Sequence, residues 1–220
     1  MSTNTNAMNT SIIDLFAQRE TLVKKDVTPW QTFSGRGMHF QLESYDWGHC
    51  ACLAHLSMRA ALGLMKMETV ICTPYSKDLP LFSYDGISAF GKQTVFLEFY
   101  DTLLEPIDLS PLMAVKESYS DLKDKTLKPA WYDSLRLPPC TFKVGRGTRM
   151  TALPSSTASA YLDLFPSSRN ADIPSKVARN SNYVESLISN GGPAINTIRA
   201  MLGNEAAETL FRRFLFGTEI

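Results

Sequence analysis

Asp78-Leu-Pro-Leu-Phe-Ser-Tyr-Asp-Gly-Ile-Ser88 is the stretch on which the reading of this chain turns. Asp78 and Pro80 open it as turn formers, and from Leu81 onward the residues suit a strand. A period of two places Leu81, Ser83, Asp85 and Ile87 on one face and Phe82, Tyr84, Gly86 and Ser88 on the other. Asp85 then falls on a face that is apolar apart from itself and Ser83. Drawn out of water there, its carboxyl group would hold a proton near neutral pH, as a general acid must. The competing reading is that Asp-Gly is a hairpin-turn signal, which leaves Asp85 solvated at a bend. The residues alone leave both open.

Outward from this stretch the pattern is one of neighbouring strands. Lys92 to Tyr100, with Val95, Phe96, Leu97 and Phe99, reads as a strand, and Gly91-Lys92 marks a hairpin back to 81–90. Met38 to Tyr45 alternates apolar and polar residues, Asp46 to Gly48 turns, and Val70-Ile71-Cys72 suits a strand ending at Pro74. Cys50 to Leu64 is Ala-rich like a helix yet borders strands, and periodicity does not decide it. Short turns between strands predict an antiparallel sheet. Ile12 to Lys25 predicts an amphipathic helix ended by Pro29. Helices follow at Pro111–Lys125, Thr157–Phe165, Pro174–Ser189, Pro193–Leu202 and Glu205–Phe216, with Gly203 as a C-terminal cap and Asn204 as the next N-cap. Cys140 to Val144 reads as an edge strand.

The chain has 220 residues, 44% hydrophobic and 20% charged, with formal net charge zero, which is ordinary globular composition. Zero net charge gives nucleic-acid binding no support. Arg59 and Lys66 interrupt the best apolar run, so no membrane span is expected. Met1 to Ser11 is Ser, Thr and Asn rich without a secretory or transit pattern and reads as a disordered lead-in before one domain over 12–220. The four cysteines have no framework spacing, so reduced thiols in a cytoplasmic protein are expected.

His49-Cys-Ala-Cys-Leu-Ala-His55 offers four potential ligands, but neither strand nor helix geometry turns them together, so no metal site is predicted. Nucleotide, phosphate, serine-hydrolase and zinc-protease motifs are absent. Gly145-Arg-Gly-Thr-Arg149 reads either as an anion clamp through Arg146 or Arg149 or as an exposed loop.

Three stretches together resemble the ferredoxin-dependent bilin reductase family. They are Ala54-His-Leu-Ser-Met-Arg59 with Met67-Glu-Thr-Val-Ile-Cys-Thr-Pro74, then Leu79 to Ile87, and last Leu202-Gly203 through Arg212-Arg-Phe-Leu-Phe-Gly217. Pro129-Ala-Trp131 and Cys140-Thr-Phe142 fall where the family has a Pro-x-Trp segment and its last strand. The resemblance implies a three-layer α/β/α sandwich with a central antiparallel sheet, and a biliverdin-like linear tetrapyrrole between the sheet and the C-terminal helices. It implies no bound cofactor, single electrons delivered by ferredoxin, and protons from the protein, by a chain expected to be monomeric. Asp85 matches the family's mid-strand proton donor. His55 keeps a family histidine, whereas a Glu is replaced by Ser57, a His by Thr69, and the loop that carries a second acid in the family holds Asn190. These positions would contact the pigment, and Lys143 and Arg146 would hold its propionates. The departures also leave room for a protein of this kind that binds a bilin without reducing it.

Overall fold

The computed structural model describes residues 11–219. Of the expected lead-in only Ser11 is therefore described, and its hydroxyl accepts from the Asp14 amide (3.1 Å), capping α1 (Ile12–Arg19). This helix is shorter than its periodicity predicts. Glu20 is extended, and the chain pairs at once as β1 (Leu22–Lys24) with the end of β3 (Met38–Trp47), where the ladder satisfies its backbone. β2 (Thr32–Gly35), β4 (Ala51–Ala60), β5 (Met65–Pro74), β6 (Leu81–Ala89), β7 (Lys92–Tyr100) and β8 (Thr141–Gly145) complete the sheet. Among the described residues this sheet has eight strands in the order β1-β3-β4-β5-β6-β7-β8, with β2 on β3, and each pairing is antiparallel.

The undecided Cys50–Leu64 segment is the central strand β4. Its ten residues pair with β3 on one side and β5 on the other, so burial and two ladders override the helix preference of its alanines. Successive side chains then point to opposite helical layers. Leu53, Val70, Phe82 and Leu97 pack with Phe16, Leu112, Leu153 and Tyr161 of α1, α2 (Ser110–Ser118) and α3 (Thr148–Leu162). Leu42, Leu56, Ile71 and Leu81 pack with Val184, Ile195, Leu210 and Phe211 of α4 (Ile173–Asn190), α5 (Pro193–Leu202), α6 (Asn204–Thr209) and its π-helical continuation Leu210–Leu215. The result is the expected three-layer α/β/α sandwich. Each fully buried Leu or Phe contributes about 2–3 kcal/mol of burial to holding the layers together.

Three helix boundaries differ from the sequence reading. α2 stops at Ser118, and α3 begins at Thr148 despite Pro154 because Met150, Leu153 and Tyr161 are buried on the sheet. Gly203, at φ +83°, both closes α5 and precedes α6, so Asn204 is the first helical residue and not its cap. No described helix is long and apolar enough to cross a membrane.

Asp78 is a buried anchor as well as a turn residue. Its carboxylate, fully enclosed, accepts from the amides of Leu104 (2.8 Å) and Glu105 (3.1 Å), from Arg169 Nε (3.0 Å) and from Lys176 Nζ (3.4 Å). Lys176, also fully enclosed, donates further to the carbonyls of Leu79 (2.7 Å) and Thr102 (2.6 Å). This cluster pins α4 to the start of β6.

Candidate active site

Asp85 lies in mid-strand. It is opposite Thr69 on β5 and Phe96 on β7, and the hairpin turn falls five residues later at Phe90-Gly91, where both φ angles are positive. Gly86 is there for space. A Cβ on it would stand 2.0 Å from the Tyr84 hydroxyl, which leans across the neighbouring position. The Asp-Gly pair is thus a close approach of a tyrosine to the backbone and not a turn.

The register puts Asp85 on the face covered by α4 to α6. It is half-buried, and the buried Thr69 hydroxyl donates to its Oδ1. Burial pushes the Asp85 carboxyl up to about 6; the Thr69 hydrogen bond pulls it back, and the Glu98 charge adds to the rise. Glu98 is buried one rung along, opposite Ser83, and receives Arg136 Nε (2.8 Å) and Nη2 (2.6 Å). The Arg136 guanidinium lies over the rings of Tyr132 (4.9 Å) and Phe142 (4.8 Å). Burial lowers its proton affinity, but the Glu98 carboxylate outweighs that and holds Arg136 charged. Tyr100 and Tyr183, with ring centroids 4.7 Å apart, close the cluster, and burial drives both phenols upward. One carboxyl group poised to carry a proton therefore sits beside a second that is neutralised by an arginine. Glu98 and Arg136 belong to no motif in the sequence. Continuing the two-residue period through β7 puts Glu98 on the Asp85 face, and that was the available signal.

One more expected residue meets this face: Thr69 is in contact with Asp85. Asn190 is exposed at the end of α4, where its Nδ2 donates back to the Ser186 carbonyl (3.0 Å) and makes no contact with Asp85. The loop that follows is held against the Trp131–Leu135 turn by the Trp131 indole, which donates to Gly191 O (2.8 Å).

The other four do not join Asp85 either. His55 and Ser57 are in register with Val70 and Glu68, and so face α3 through the sheet from Asp85. Lys143, opposite Val95, shares that other face, and its ammonium is taken by Leu122 O (2.9 Å) and Asp124 (2.7 Å). A propionate held beside Asp85 is out of its reach, because alternation along β8 points it away. Arg146 is exposed past the end of β8, donating to Phe90 O (3.5 Å).

The face opposite Asp85 has its own cleft, about 490 Å³, lined by His55, Ser57, Glu68, Tyr84, Gly86 and Thr151. His55 has Nδ1 3.6 Å from Glu43 and Nε2 3.3 Å from Glu68. Burial alone would lower the imidazole, yet the two carboxylates outweigh it and leave it raised. The Tyr84 hydroxyl borders this cleft with no hydrogen-bond partner among the described residues. The sequence cluster 49–55 is dispersed: His49 sits in a turn on Asp46 (2.9 Å), Cys52 is buried on the α4–α6 side beside the Phe214 carbonyl, and His55 faces α3.

The fold and the half-buried acid define the chain as a three-layer α/β/α sandwich with a polar site on one sheet face. No protein-family model matches the sequence, and no curated protein matches it. Among solved structures, the crystal structure of phytochromobilin synthase from tomato in complex with biliverdin matches with TM-score 0.68, covering 94% of this chain and 80% of that one. The sequence identity is 14%, so the likeness is one of fold.

Proposed function

We propose that this protein is an oxidoreductase that binds biliverdin or a related linear tetrapyrrole against the Asp85 face and reduces it with electrons from ferredoxin. Two reduced ferredoxins supply one electron each. The pigment takes these with two protons, one from Asp85 and one from solvent, and one of its double bonds becomes a single bond; solvent then reprotonates the carboxylate. The observation that carries this reading is the Asp85 environment: a half-buried carboxyl raised to about 6, with one hydroxyl donor, on the sheet face under the C-terminal helices. The pigment is the electron store, so no bound cofactor is needed. The motif resemblance and the fold of a protein crystallised with biliverdin support the same substrate class.

A second reading has a specific observation in its favour. The cleft of about 490 Å³ lies through the sheet from Asp85, and a bilin seated there would not touch the acid. In that case the protein carries a bilin unreduced. Anaerobic titration separates the two. Biliverdin should sharpen and shift its visible absorption on binding, and a ferredoxin-reducing system should then move or bleach the band. Asp85→Asn should bind equally well and lower the rate by about a hundredfold or more, the usual worth of a general acid. A complex whose spectrum stays fixed under reduction establishes the carrier instead.

A further inference from the structure

One end of the sheet has an unusual surface. The β4–β5 turn, the β6–β7 turn and the loop after β8 come together there, since Met65 pairs with Ala89 and Gln93 with Gly145. The segments 59–66, 88–93 and 145–147 contain Arg59, Lys66, Lys92 and Arg146 and no Asp or Glu. None of these four cations has a carboxylate partner among the described residues; the neighbouring Arg149 is the one that pairs, with Asp121 (2.7 Å). Between them stand the large apolar side chains most at odds with solvent: Leu62 at 105% exposure, Leu64 at 59% and Phe90 at 75%. Leu62 and Phe90 also occupy left-handed turn positions (φ +56° and +50°), where Asn or Gly is the unstrained choice.

Singly exposed apolar residues need no explanation, but three on adjacent turns inside an acid-free ring of cations do. In a chain of zero net charge such a ring is a local feature. From it we infer that this end of the sheet docks an acidic electron-carrier protein, the cations steering its approach and Leu62, Leu64 and Phe90 making the contact. The patch is small, which fits the brief, low-area encounters of redox partners better than a permanent assembly. β6 links the two sites: Phe90 stands five residues from Asp85, about 17 Å along the strand. The inference takes its partner's role from the reductase reading, but the docking itself is measurable without any bilin.

The test uses the full chain, ¹⁵N-labelled, titrated with a purified acidic [2Fe–2S] ferredoxin at low and high salt. Amide shifts should concentrate at 59–66, 88–93 and 145–147 and collapse as salt rises. The pair Lys66→Glu with Lys92→Glu should weaken binding tenfold or more, and Leu62→Ser with Phe90→Ser severalfold with less salt dependence. In assays with bilin present, Lys92→Glu alone and the Leu62→Ser, Phe90→Ser pair, none of which lines the cleft beside His55, should raise the KM for ferredoxin and leave the biliverdin spectrum unchanged. Shifts mapping elsewhere, or undiminished affinity in the charge-reversed variant, overturn the inference. So does the alternative outcome in which the protein ignores ferredoxin but sediments with phosphatidylserine vesicles through these residues. A bilin that fails to bind sinks the reductase reading alone, because the titration stands without it.

Discussion

Asp78 and Asp85 lie seven residues apart at the two ends of one short stretch, and the protein treats them oppositely. Asp78 is fully enclosed, meets two backbone amides, Arg169 and the buried Lys176, and has its carboxyl held below the usual range although burial pushes the other way. Asp85 is less enclosed but has one hydroxyl donor and a neighbouring carboxylate, and it is raised to about 6. Enclosure does not separate them; the count of donors does. A carboxylate given enough N–H groups and cations becomes an ionised bolt, and one left with a single hydroxyl becomes a proton carrier.

The sharpest way to break the contrast is to remove the bolt. Asp78→Ala leaves Lys176 buried without its countercharge, and the expected loss is about 3–5 kcal/mol, read from the urea midpoint. Because the Asp78 pKa is depressed on folding, its contribution is present above the unfolded value near 3.8 and is lost as pH falls below it. Asp85 has the opposite sign. Its folded pKa, about 6 against 3.8, means the native state binds more protons than the unfolded chain between those values, so stability falls as pH rises through that window. Asp85→Asn should therefore be more stable than the native protein at pH 8, by up to about 3 kcal/mol, and no different at pH 3.5. Equal stability at pH 8 would remove the physical basis for calling Asp85 a proton donor.

Much of this contrast was legible in residues and some was not. The alternation from Leu81 to Ser88 placed Asp85 on an apolar face correctly, because a two-residue period survives any tertiary context that keeps the strand. The choice between strand and Asp-Gly turn was not legible, since it rests on the Tyr84 hydroxyl lying over Gly86. Asp78 reads from sequence as a turn former only; its donors come from 104, 105, 169 and 176, all far along the chain. The helices α4 and α5 were placed within a residue by their caps and apolar spacing, whereas Cys50–Leu64 depended on two flanking ladders that no local signal encodes. Grouping His55 and Ser57 with Asp85 came from the resemblance, and the β4–β5–β6 register sends them to opposite sides of the sheet.

Smaller changes tune the Asp85 end of the contrast. Thr69→Val removes the one hydrogen bond that favours the Asp85 carboxylate while keeping the side-chain shape. Its pKa should rise by roughly one unit, moving the high-pH limb of bilin reduction to more alkaline pH. An unmoved limb would mean that another group delivers the proton.

The mildest substitution decides which face the pigment uses. Ser57→Leu adds bulk to the cleft through the sheet from Asp85, between Glu68 and the first turns of α3, at a half-buried position where the strand tolerates it. The strand alternation points the Ser57 side chain away from the Asp85 face, so a bilin bound beside Asp85 should keep its affinity within about twofold, since separated sites act independently. A bilin seated in the Tyr84 cleft should lose tenfold or more, because the added methyl groups take the volume it needs. Measured by the same absorption titration, a large loss with Ser57→Leu and none with Asp85→Asn would move the ligand to the other face, and Asp85 would then be a strained carboxylate with no substrate to protonate.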